Sequence, residues 1–380
     1  MAQTLAAPPV RSQPDKVDER RRSRLGVAGL AGLTVVVCLL WPLAWVRTNG
    51  GMTALIGAGV DGPSRPLVQR EVPGAVAFAG LGHDGQQFYA IARHPLNPAA
   101  GRPFLDAPAY RYRRILFPAL AGALAPHGGR RLVFAFLGVS LLGVALGAWA
   151  LQRLPGGPWW LPLTLVANPG VGVAVCLSLA DALGTGLVLA AFAASVRRRW
   201  GFMLLALVAA SLTRETLVIA ALALTLTPSL PRRWRPIIAT APILALGAWS
   251  TWSALIMHVA PLRGADQLTY PLVGWLQAGG STTALMLGLG STVVLGLAAR
   301  RARPDEPHVR TVLGATAALM LCLGPAVTTS WINTTRVSAP VLGLALWVLV
   351  RRESPSRSPS VASLPPFARA DGLPPPAAST

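Results

Sequence analysis

Residues 26–46 read GVAGLAGLTVVVCLLWPLAWV, an apolar run without a single charged side chain. A helix rises about 1.5 Å per residue, so a run of ~20 residues is long enough to cross the hydrocarbon core of a bilayer. A cleaved signal peptide would have a shorter apolar core, of about 7–15 residues, and a small-residue cleavage site. The run therefore predicts an uncleaved first transmembrane span. The polar and basic residues 1–24 before it are predicted to lie in the cytoplasm.

The composition extends this prediction to the whole chain of 380 residues, of which 53% are hydrophobic and 13% charged. Soluble domains carry about 25% charged residues, so we expect an all-α polytopic membrane protein. The net charge of +20 does not indicate a nucleic-acid partner, because the arginines cluster at the ends of apolar runs. Positive charge in that position marks cytoplasmic loops. No stretch alternates basic and aromatic residues as a strand-binding groove does, which excludes nucleic acid.

Arginine clusters divide the second half of the chain into three hairpins, each made of two apolar runs. By the positive-inside rule the clusters face the cytoplasm and each hairpin turns on the outer side. The clusters lie at residues 197–199, 232–235, 300–303 and 351–352. The predicted arms are residues 201–212 and 217–230, 236–257 and 281–299, and 309–328 and 337–350.

The first half has a long predicted outer loop, residues 47–112, with short helices in it. An odd number of crossings must follow, whereas four apolar runs are present. Because Asn168-Pro169-Gly170 interrupts the third run, residues 158–196 are predicted to cross once and to contain a re-entrant piece. This gives about ten spans, with nine and eleven as alternatives. The runs are residues 114–126, 132–152, 158–176 and 178–196.

The domain organisation that follows is simple. Residues 25–350 form one transmembrane domain, and residues 351–380, rich in Pro, Ser and Ala, are predicted to be a disordered cytoplasmic tail. Cys38, Cys176 and Cys322 lie inside apolar stretches and are interpreted as small core residues. Their spacing indicates neither a disulfide framework nor a metal site.

The outer loop contains the best candidate site, His83-Asp84-Gly85-Gln86-Gln87-Phe88-Tyr89. A carboxylate followed by amides and aromatic rings is typical of a site that binds a sugar hydroxyl, with Asp84 as the base. In the alternative interpretation Asp84 caps a helix that ends before Pro95, with Gln87 completing a capping box. Both interpretations stay open. The predicted substrate-binding residues of this segment are His83, Gln86, Gln87 and Tyr89.

A second cluster, Tyr110-Arg111-Tyr112-Arg113-Arg114, stands where the outer loop re-enters the membrane. Positive charge is unexpected on an outer flank. Tyr110 and Arg114 share a helical face, while Arg111 and Arg113 point elsewhere. Such a set can bind a phosphate or pyrophosphate through charge-assisted hydrogen bonds. Ordinary interfacial anchoring of the following span is the alternative.

Two carboxylates, Asp181 and Glu215, lie inside apolar stretches, where a charge costs roughly 2.5–3.5 kcal/mol at mid-membrane. Each therefore needs a partner or a cavity. Arg214 adjoins Glu215, but adjacent helical residues point about 100° apart and need not pair. Arg214 either binds an anionic ligand group that Glu215 helps to orient, or forms a structural ion pair. For Asp181, beside Ser178 and Thr185, a buried hydrogen-bonded network is the preferred interpretation over a ligand contact.

In their order these motifs resemble the GT-C superfamily of integral membrane glycosyltransferases. Residues 82–89 are similar to a D-G-Q-F-Y-Y motif of bacterial members, interrupted here by Gln87. Further matches are a Y-R-x-x-R-x-L-x-P segment, an R-E pair in a broken span, an acidic motif and a late R-x-x-x-P. The matching residues are Tyr110, Arg111, Arg114, Leu116 and Pro118, then Arg214 and Glu215, then Asp181, and finally Arg336 and Pro340.

The resemblance implies a multi-pass protein of the bacterial plasma (inner) membrane that transfers a sugar from a polyprenyl-phosphate donor. The acceptor would be a glycan, lipid or protein on the outer side. It also implies that Asp84 is the general base, that arginines stabilise the leaving phosphate, and that Arg336 belongs to the site. No cofactor is firmly implied, and a divalent metal, used in some branches, is left open.

Two rival functions come from other classes. A transporter or flippase for a lipid-linked or anionic solute would agree with the breaks near residues 168–170 and 213–216. A non-catalytic membrane scaffold is the second rival. A long outer loop between the first two spans favours the transferase, since transporters have little need of one.

Overall fold

The computed structural model describes residues 16–260, 267–277 and 282–351. Within these ranges the chain is helical and has no strands, only isolated bridges between loops. The predicted all-α class is therefore confirmed. Most of the predicted basic N-terminus and nearly all of the predicted tail lie outside the described residues.

The helices are defined here in chain order, and four short 3-10 segments lie among them. The first half contains α1 (Lys16–Cys38), α2 (Leu40–Thr48), α3 (Arg65–Glu71), α4 (Asp84–Arg93), α5 (Pro98–Gly101), α6 (Pro108–Tyr112), α7 (Leu116–Leu124), α8 (Gly129–Leu151), α9 (Pro169–Cys176) and α10 (Asp181–Val196). The second half contains α11 (Trp200–Thr213), α12 (Val218–Leu224), α13 (Trp234–Met257), α14 (Val273–Gln277), α15 (Thr282–Arg301), α16 (Pro307–Leu321), α17 (Pro325–Thr328) and α18 (Trp331–Val350). The 3-10 segments are Met52–Ile56, Arg102–Phe104, Leu161–Leu165 and Glu215–Leu217.

Five of the described helical stretches are long and apolar enough to cross a membrane. The first of them includes the predicted first span. The apolar helices α10 and α11 are shorter, and α10 with 16 residues extends only about 24 Å. The predicted total of about ten spans therefore stays a prediction. The five are Gly26–Thr48, Gly129–Leu151, Trp234–Met257, Thr282–Arg301 and Trp331–Val350.

The predicted break at residues 168–170 is confirmed, and its cause is a helix cap. The side-chain oxygen of Asn168 accepts hydrogen bonds from Gly170 N at 3.1 Å and Val171 N at 3.3 Å, which starts α9. The Asn168 amide also donates to Ala339 O on α18 at 3.1 Å. A second break follows at Ser178, whose φ of 52° ends the run before α10. The apolar run at residues 158–196 is thus two helices and a 3-10 turn.

Helix α10 lies at the centre of the bundle, between α8 and α18, and is buried over nearly its whole length. Its approach to α8 depends on glycine. A Cβ at Gly186 would lie 2.2 Å from Gly143 O, and a Cβ at Gly143 would lie 2.5 Å from Ala182 O. The backbones therefore touch at this crossing, which fixes the first residue of α10, Asp181, deep in the molecule.

The outer helices expose apolar side chains instead. Leu244 and Leu255 on α13 are 67% and 68% exposed, and Met286 on α15 is 69% exposed. Large apolar side chains on the outside of a helical bundle indicate contact with lipid. The bundle thus buries its small and polar residues around α10 and presents leucine and methionine outward.

Candidate functional site

Asp84 is the first residue of α4, and it does not cap that helix. His83 occupies the N-cap position in an extended conformation and makes no capping bond with its side chain. The predicted cap is therefore wrong, and so is the predicted capping box, because the Gln87 oxygen accepts from Asp106 N at 3.3 Å instead. The Asp84 carboxylate is free to point away from its own helix.

Gly85 explains how Asp84 comes so close to the bundle. A Cβ at this position would lie 2.3 Å from Leu177 O and 2.5 Å from Ile56 O. Only glycine fits between these two carbonyl groups without displacing backbone. The start of α4 is therefore pressed against the turn between α9 and α10, next to Asp181.

Three arginines surround the Asp84 carboxylate. Arg111 Nη1 donates to Oδ1 at 2.7 Å and Arg336 Nη2 donates to Oδ2 at 3.0 Å, while Arg114 Nη1 lies 3.7 Å from Oδ2. Burial by itself would raise the pKa of Asp84. The charges of Arg111, Arg336 and Arg114 outweigh that effect and hold the pKa well below its usual range. Asp84 is thus ionised and engaged by both of its oxygens.

Arg111 links Asp84 to a second carboxylate, Asp106, which the sequence analysis missed. Its Nε and Nη2 donate to the two Asp106 oxygens, both at 2.8 Å, in a bidentate pair. Burial opposes the charge of Arg111, but the two carboxylates outweigh it and raise its pKa above the usual value. Asp106 lies just before α6 and five residues before Arg111. That short spacing is the sequence signal that could have identified it.

Arg114 pairs with Glu215 from the break between α11 and α12. Its Nε donates to Oε2 at 3.0 Å and its Nη2 to Oε1 at 2.8 Å. Nη2 also donates to the Tyr110 hydroxyl, and the guanidinium lies 4.6 Å from the centroid of that ring. The predicted shared face of Tyr110 and Arg114 is therefore confirmed. The Tyr110 hydroxyl in turn donates to Gln267 at 2.9 Å.

Asp181 forms the deepest layer of the site, and its side chain is fully buried. Its carboxylate accepts from Arg214 Nη1 and, at 2.7 Å, from Arg336 Nε. Thr185 donates only to the Asp181 backbone oxygen, at 2.8 Å. The predicted buried network exists, but the carboxylate is satisfied by arginines rather than by hydroxyl groups.

Arg214 and Glu215 do not pair with each other, as the geometry of adjacent residues predicted. Arg214 lies inward, 8% exposed, on Asp181 and on Arg336 O at 3.2 Å. Its Nε is buried and has no hydrogen-bond partner within the described ranges. A buried donor without a partner is costly, and this one belongs to a residue that lines a cavity.

These side chains enclose a cavity of ≈ 410 Å³, which we call the arginine cavity. Residues from α4, α6, α17 and α18 and from the breaks between helices all reach it. Its lining residues are Leu81, Asp84, Tyr110, Arg111, Arg114, Arg214, Gln267, Ala326, Val327, Asn333 and Arg336.

Other predicted site residues lie outside the cavity and brace the loop around α4. Gln86 is fully buried and accepts from Gly59 N at 3.3 Å. The Tyr89 hydroxyl donates to Glu71 at 2.8 Å and accepts from Gly129 N at 2.8 Å. These contacts hold the start of α4 in place, so Gln86 and Tyr89 position the site without facing it.

His83 and Arg113 border the cavity without lining it. The His83 ring packs edge-on against Phe78, with 5.9 Å between the centroids. Burial is the main cause that lowers the pKa of His83, so the imidazole is neutral at neutral pH. Arg113 lies 5.9 Å from the Tyr110 ring centroid.

Two polar residues that line the cavity could not be identified as site residues from the sequence alone. Gln267 follows a segment with no recognisable motif. Asn333 lies three residues before Arg336 on α18 and accepts from its Nη1 at 3.5 Å, a spacing that is visible only once Arg336 is known to matter. Among the described residues no three His, Cys, Asp or Glu side chains are grouped as a metal site requires.

No family model, curated protein or solved structure matches this chain. What the site does must therefore be inferred from its own residues. The guanidinium groups of the four arginines that line the arginine cavity can bind an anion through bidentate hydrogen bonds. The Asp84 carboxylate beside them can accept a proton once it is released from an arginine. A cation-lined cavity with one acid–base group is suited to transfer from a phosphate ester.

Proposed function

We propose that this protein is a membrane-embedded glycosyltransferase, which transfers a sugar from a polyprenyl-phosphate donor to a hydroxyl group of an outer acceptor. One observation carries the proposal: Asp84 and the arginines of the arginine cavity share a single space of ≈ 410 Å³ inside a lipid-facing bundle. The order of motifs that resembles the GT-C superfamily supports it. The sugar, the acceptor and the bacterial inner membrane are parts of this proposal.

The arginines supply the donor site. Arg214 Nε is a buried donor that finds no partner among the described residues, and a phosphate oxygen would satisfy it. Arg114 and Arg336 line the same space. As the bond between the anomeric carbon and the phosphate oxygen breaks, negative charge develops on the leaving phosphate. Fixed guanidinium groups stabilise that charge more in the transition state than in the ground state.

Asp84 supplies the base. The acceptor oxygen attacks the anomeric carbon, its proton passes to Asp84, and the electron pair of the broken bond leaves with the lipid phosphate. A single displacement of this kind inverts the anomeric configuration. Since both Asp84 oxygens are engaged by Arg111 and Arg336, the carboxylate is a weak base until a phosphate draws one arginine away. Donor binding therefore precedes activation of the acceptor.

Sugar transfer by the purified full chain tests the proposal. The protein in detergent is given radiolabelled polyprenyl-phosphate hexoses and pentoses together with a mixture of glycan and lipid acceptors. We expect label in the acceptor, lost by about 10²–10⁴-fold in Asp84→Asn. Asp106→Asn is the matched control, because it also removes one carboxylate from Arg111. Equal transfer by Asp84→Asn and the wild type would falsify the catalytic role of Asp84.

Arg214→Lys separates donor binding from folding. A lysine retains the charge beside Asp181 but loses the planar fork. We expect binding of the polyprenyl-phosphate donor to weaken about tenfold while thermal stability stays near that of the wild type. Arg351→Lys, which alters an arginine at the other end of α18, is the control. A collapse of stability in Arg214→Lys would assign Arg214 to a purely structural ion pair.

Transport of an anionic or lipid-linked solute is the second candidate. The observation in its favour is that Arg214, from the break between α11 and α12, lines the cavity, since substrate sites of transporters often lie at interrupted helices. Flipping of a fluorescent polyprenyl phosphate in proteoliposomes distinguishes it. Flipping without sugar transfer would replace the first proposal by this one, and the absence of both activities would leave a membrane scaffold.

A further inference from the structure

A second cavity, of ≈ 350 Å³, lies at the other end of the bundle. We call it the His308 pocket. Helix α18 connects the two: Arg336 lines the arginine cavity, whereas Leu344 and Trp347 line the His308 pocket. The eleven residues from Arg336 to Trp347 correspond to about 16 Å along the helix axis. The pocket is therefore separate from the site described above.

Thr227 Oγ1 and His308 Nδ1 are buried polar atoms without a hydrogen-bond partner within the described ranges. Thr227 is 4% exposed and His308 is 8% exposed. The imidazole is held in place by stacking on Phe192, with 6.1 Å between centroids and 20° between planes. Buried groups of this kind are rare unless a ligand or water satisfies them. Both atoms belong to residues that line the pocket.

Most of the remaining lining residues are apolar. Phe192, Val309, Leu344 and Trp347 form the interior, and Val196 at the mouth is 47% exposed. Arginines at residues 197–199 follow Val196 directly. This is the pattern of a boundary between lipid and water. A hydrocarbon chain that enters past Val196 would thus remain in apolar surroundings.

The charges of the lining itself disfavour an anionic head group. Within the described residues no lysine or arginine lines the pocket, whereas Asp305 and Glu306 do. Glu306 is neutralised, because its two oxygens accept from Arg351 at 2.6 Å each. Asp305 remains as an exposed carboxylate at the rim, where it would repel a phosphate. A neutral hydroxyl group fits better, since it can accept from Thr227 and donate to His308 at once.

We propose that the His308 pocket binds a long-chain alcohol or another lipid whose head is a neutral hydroxyl group, taken from the membrane leaflet at this end. The hydroxyl group bonds to Thr227 and His308, and the chain lies against Phe192 and Leu344. Its occupancy does not depend on sugar transfer in the arginine cavity.

Photolabelling of the full chain in phosphatidylcholine nanodiscs tests this site. The probe is hexadecanol with a diazirine in its chain, and labelled peptides are mapped by mass spectrometry. We expect labels near Phe192 and Leu344 that unlabelled hexadecanol displaces, while hexadecylamine, hexadecyl phosphate and hexadecane do not. Equal displacement by any of these three, or no displacement by hexadecanol, overturns the proposal.

Thr227→Val provides the discriminating variant, because it keeps the shape of the side chain and removes only a hydroxyl group that has no partner in the described part of the chain. We expect specific labelling to fall about tenfold, the loss of roughly one hydrogen bond. Thr225→Val is the matched control, since the Thr225 hydroxyl already donates to Leu222 O at 2.6 Å and lies outside the pocket.

Thermal stability gives an independent readout. Removal of an unsatisfied buried hydroxyl should leave the melting temperature of the ligand-free protein unchanged or raise it. Hexadecanol should raise the melting temperature of the wild type and of Thr225→Val, but not of Thr227→Val. A rise of the same size in all three proteins shows non-specific partitioning and overturns the site.

Discussion

Arg336 joins the two carboxylates on which the arginine cavity is built. Its Nε donates to Asp181 and its Nη2 to Asp84, at 2.7 and 3.0 Å. One guanidinium thus bridges the first residue of α4 and the first residue of α10. In buried clusters of this kind, the removal of one partner is far more damaging than the pair itself is stabilising, because it leaves an uncompensated charge.

Asp181→Ala follows from this principle at the residue scale. The substitution leaves Arg214 and Arg336 buried without their shared carboxylate, so we expect a loss of about 3–5 kcal/mol in the free energy of unfolding. Thermal unfolding of the full chain in detergent measures it. Asp305→Ala, at an exposed carboxylate, should change stability by less than about 0.5 kcal/mol. Similar melting temperatures for the two variants would contradict the pairing of Asp181.

The lowered pKa of Asp84 predicts how the contribution of this residue to stability changes with pH. A carboxylate with a folded-state pKa below its unfolded value of about 3.9 stabilises the fold above that value and loses the contribution as the pH falls through the folded pKa. The difference in melting temperature between the wild type and Asp84→Asn should therefore be constant from about pH 8 to 5 and shrink only below about pH 4. Shrinkage already between pH 7 and 5 would show that the arginines do not lower this pKa.

The charged residues of the site could be predicted from the sequence better than the ion pairs that they form with one another. Asp84, Asp181, Glu215 and the arginines stand out because charge is costly in an apolar chain. The ion pairs could not be predicted, since Arg336 and Asp84 are 252 residues apart in the sequence. The cap at Asp84 was wrong for a similar reason: tertiary ion pairs outweigh a local helix cap worth about 1 kcal/mol.

At the scale of the helices, hydrophobic runs located most elements, and Asn168 revealed one interruption. The second interruption, at Ser178, has no glycine or proline to indicate it. The start of α4 packs against Leu177 O, beside this interruption, through Gly85. The segment at 158–196 was predicted as one crossing because the positive-inside rule demands an odd number of crossings there, and the number of crossings stays a prediction.

The close crossing of α8 and α10 predicts that alanine substitutions at two glycines will have different effects on thermal stability. Gly186→Ala would place a Cβ 2.2 Å from the backbone oxygen of Gly143 and should force the helices apart, with a clear loss of thermal stability. At Gly138, also on α8, a Cβ meets nothing within 4 Å. Gly138→Ala should therefore be neutral or stabilising, by up to about 1 kcal/mol of helix propensity. Melting temperatures in detergent compare the two, and equal values would contradict the close approach.

At the scale of the whole molecule, the arginine clusters predict that both termini are cytoplasmic and that the loop carrying Asp84 is outside. In a chain with its native cysteines replaced by alanine, Leu96→Cys should react with an impermeant maleimide in intact cells. Leu96 is 77% exposed and lies shortly after α4. Arg20→Cys and Pro365→Cys should react only after lysis. Labelling of either in intact cells would reverse the orientation and place Asp84 in the cytoplasm.

The position of Arg336 also bears on how the chain is made. Helix α18 is the last described helix to leave the ribosome, and until then Asp84 and Asp181 each lack one partner. Until this helix is made, the inserted chain lacks the guanidinium group that bridges Asp84 and Asp181. A product cut short before Trp331 should accordingly be less stable than the full chain and be cleared by membrane proteases rather than accumulate.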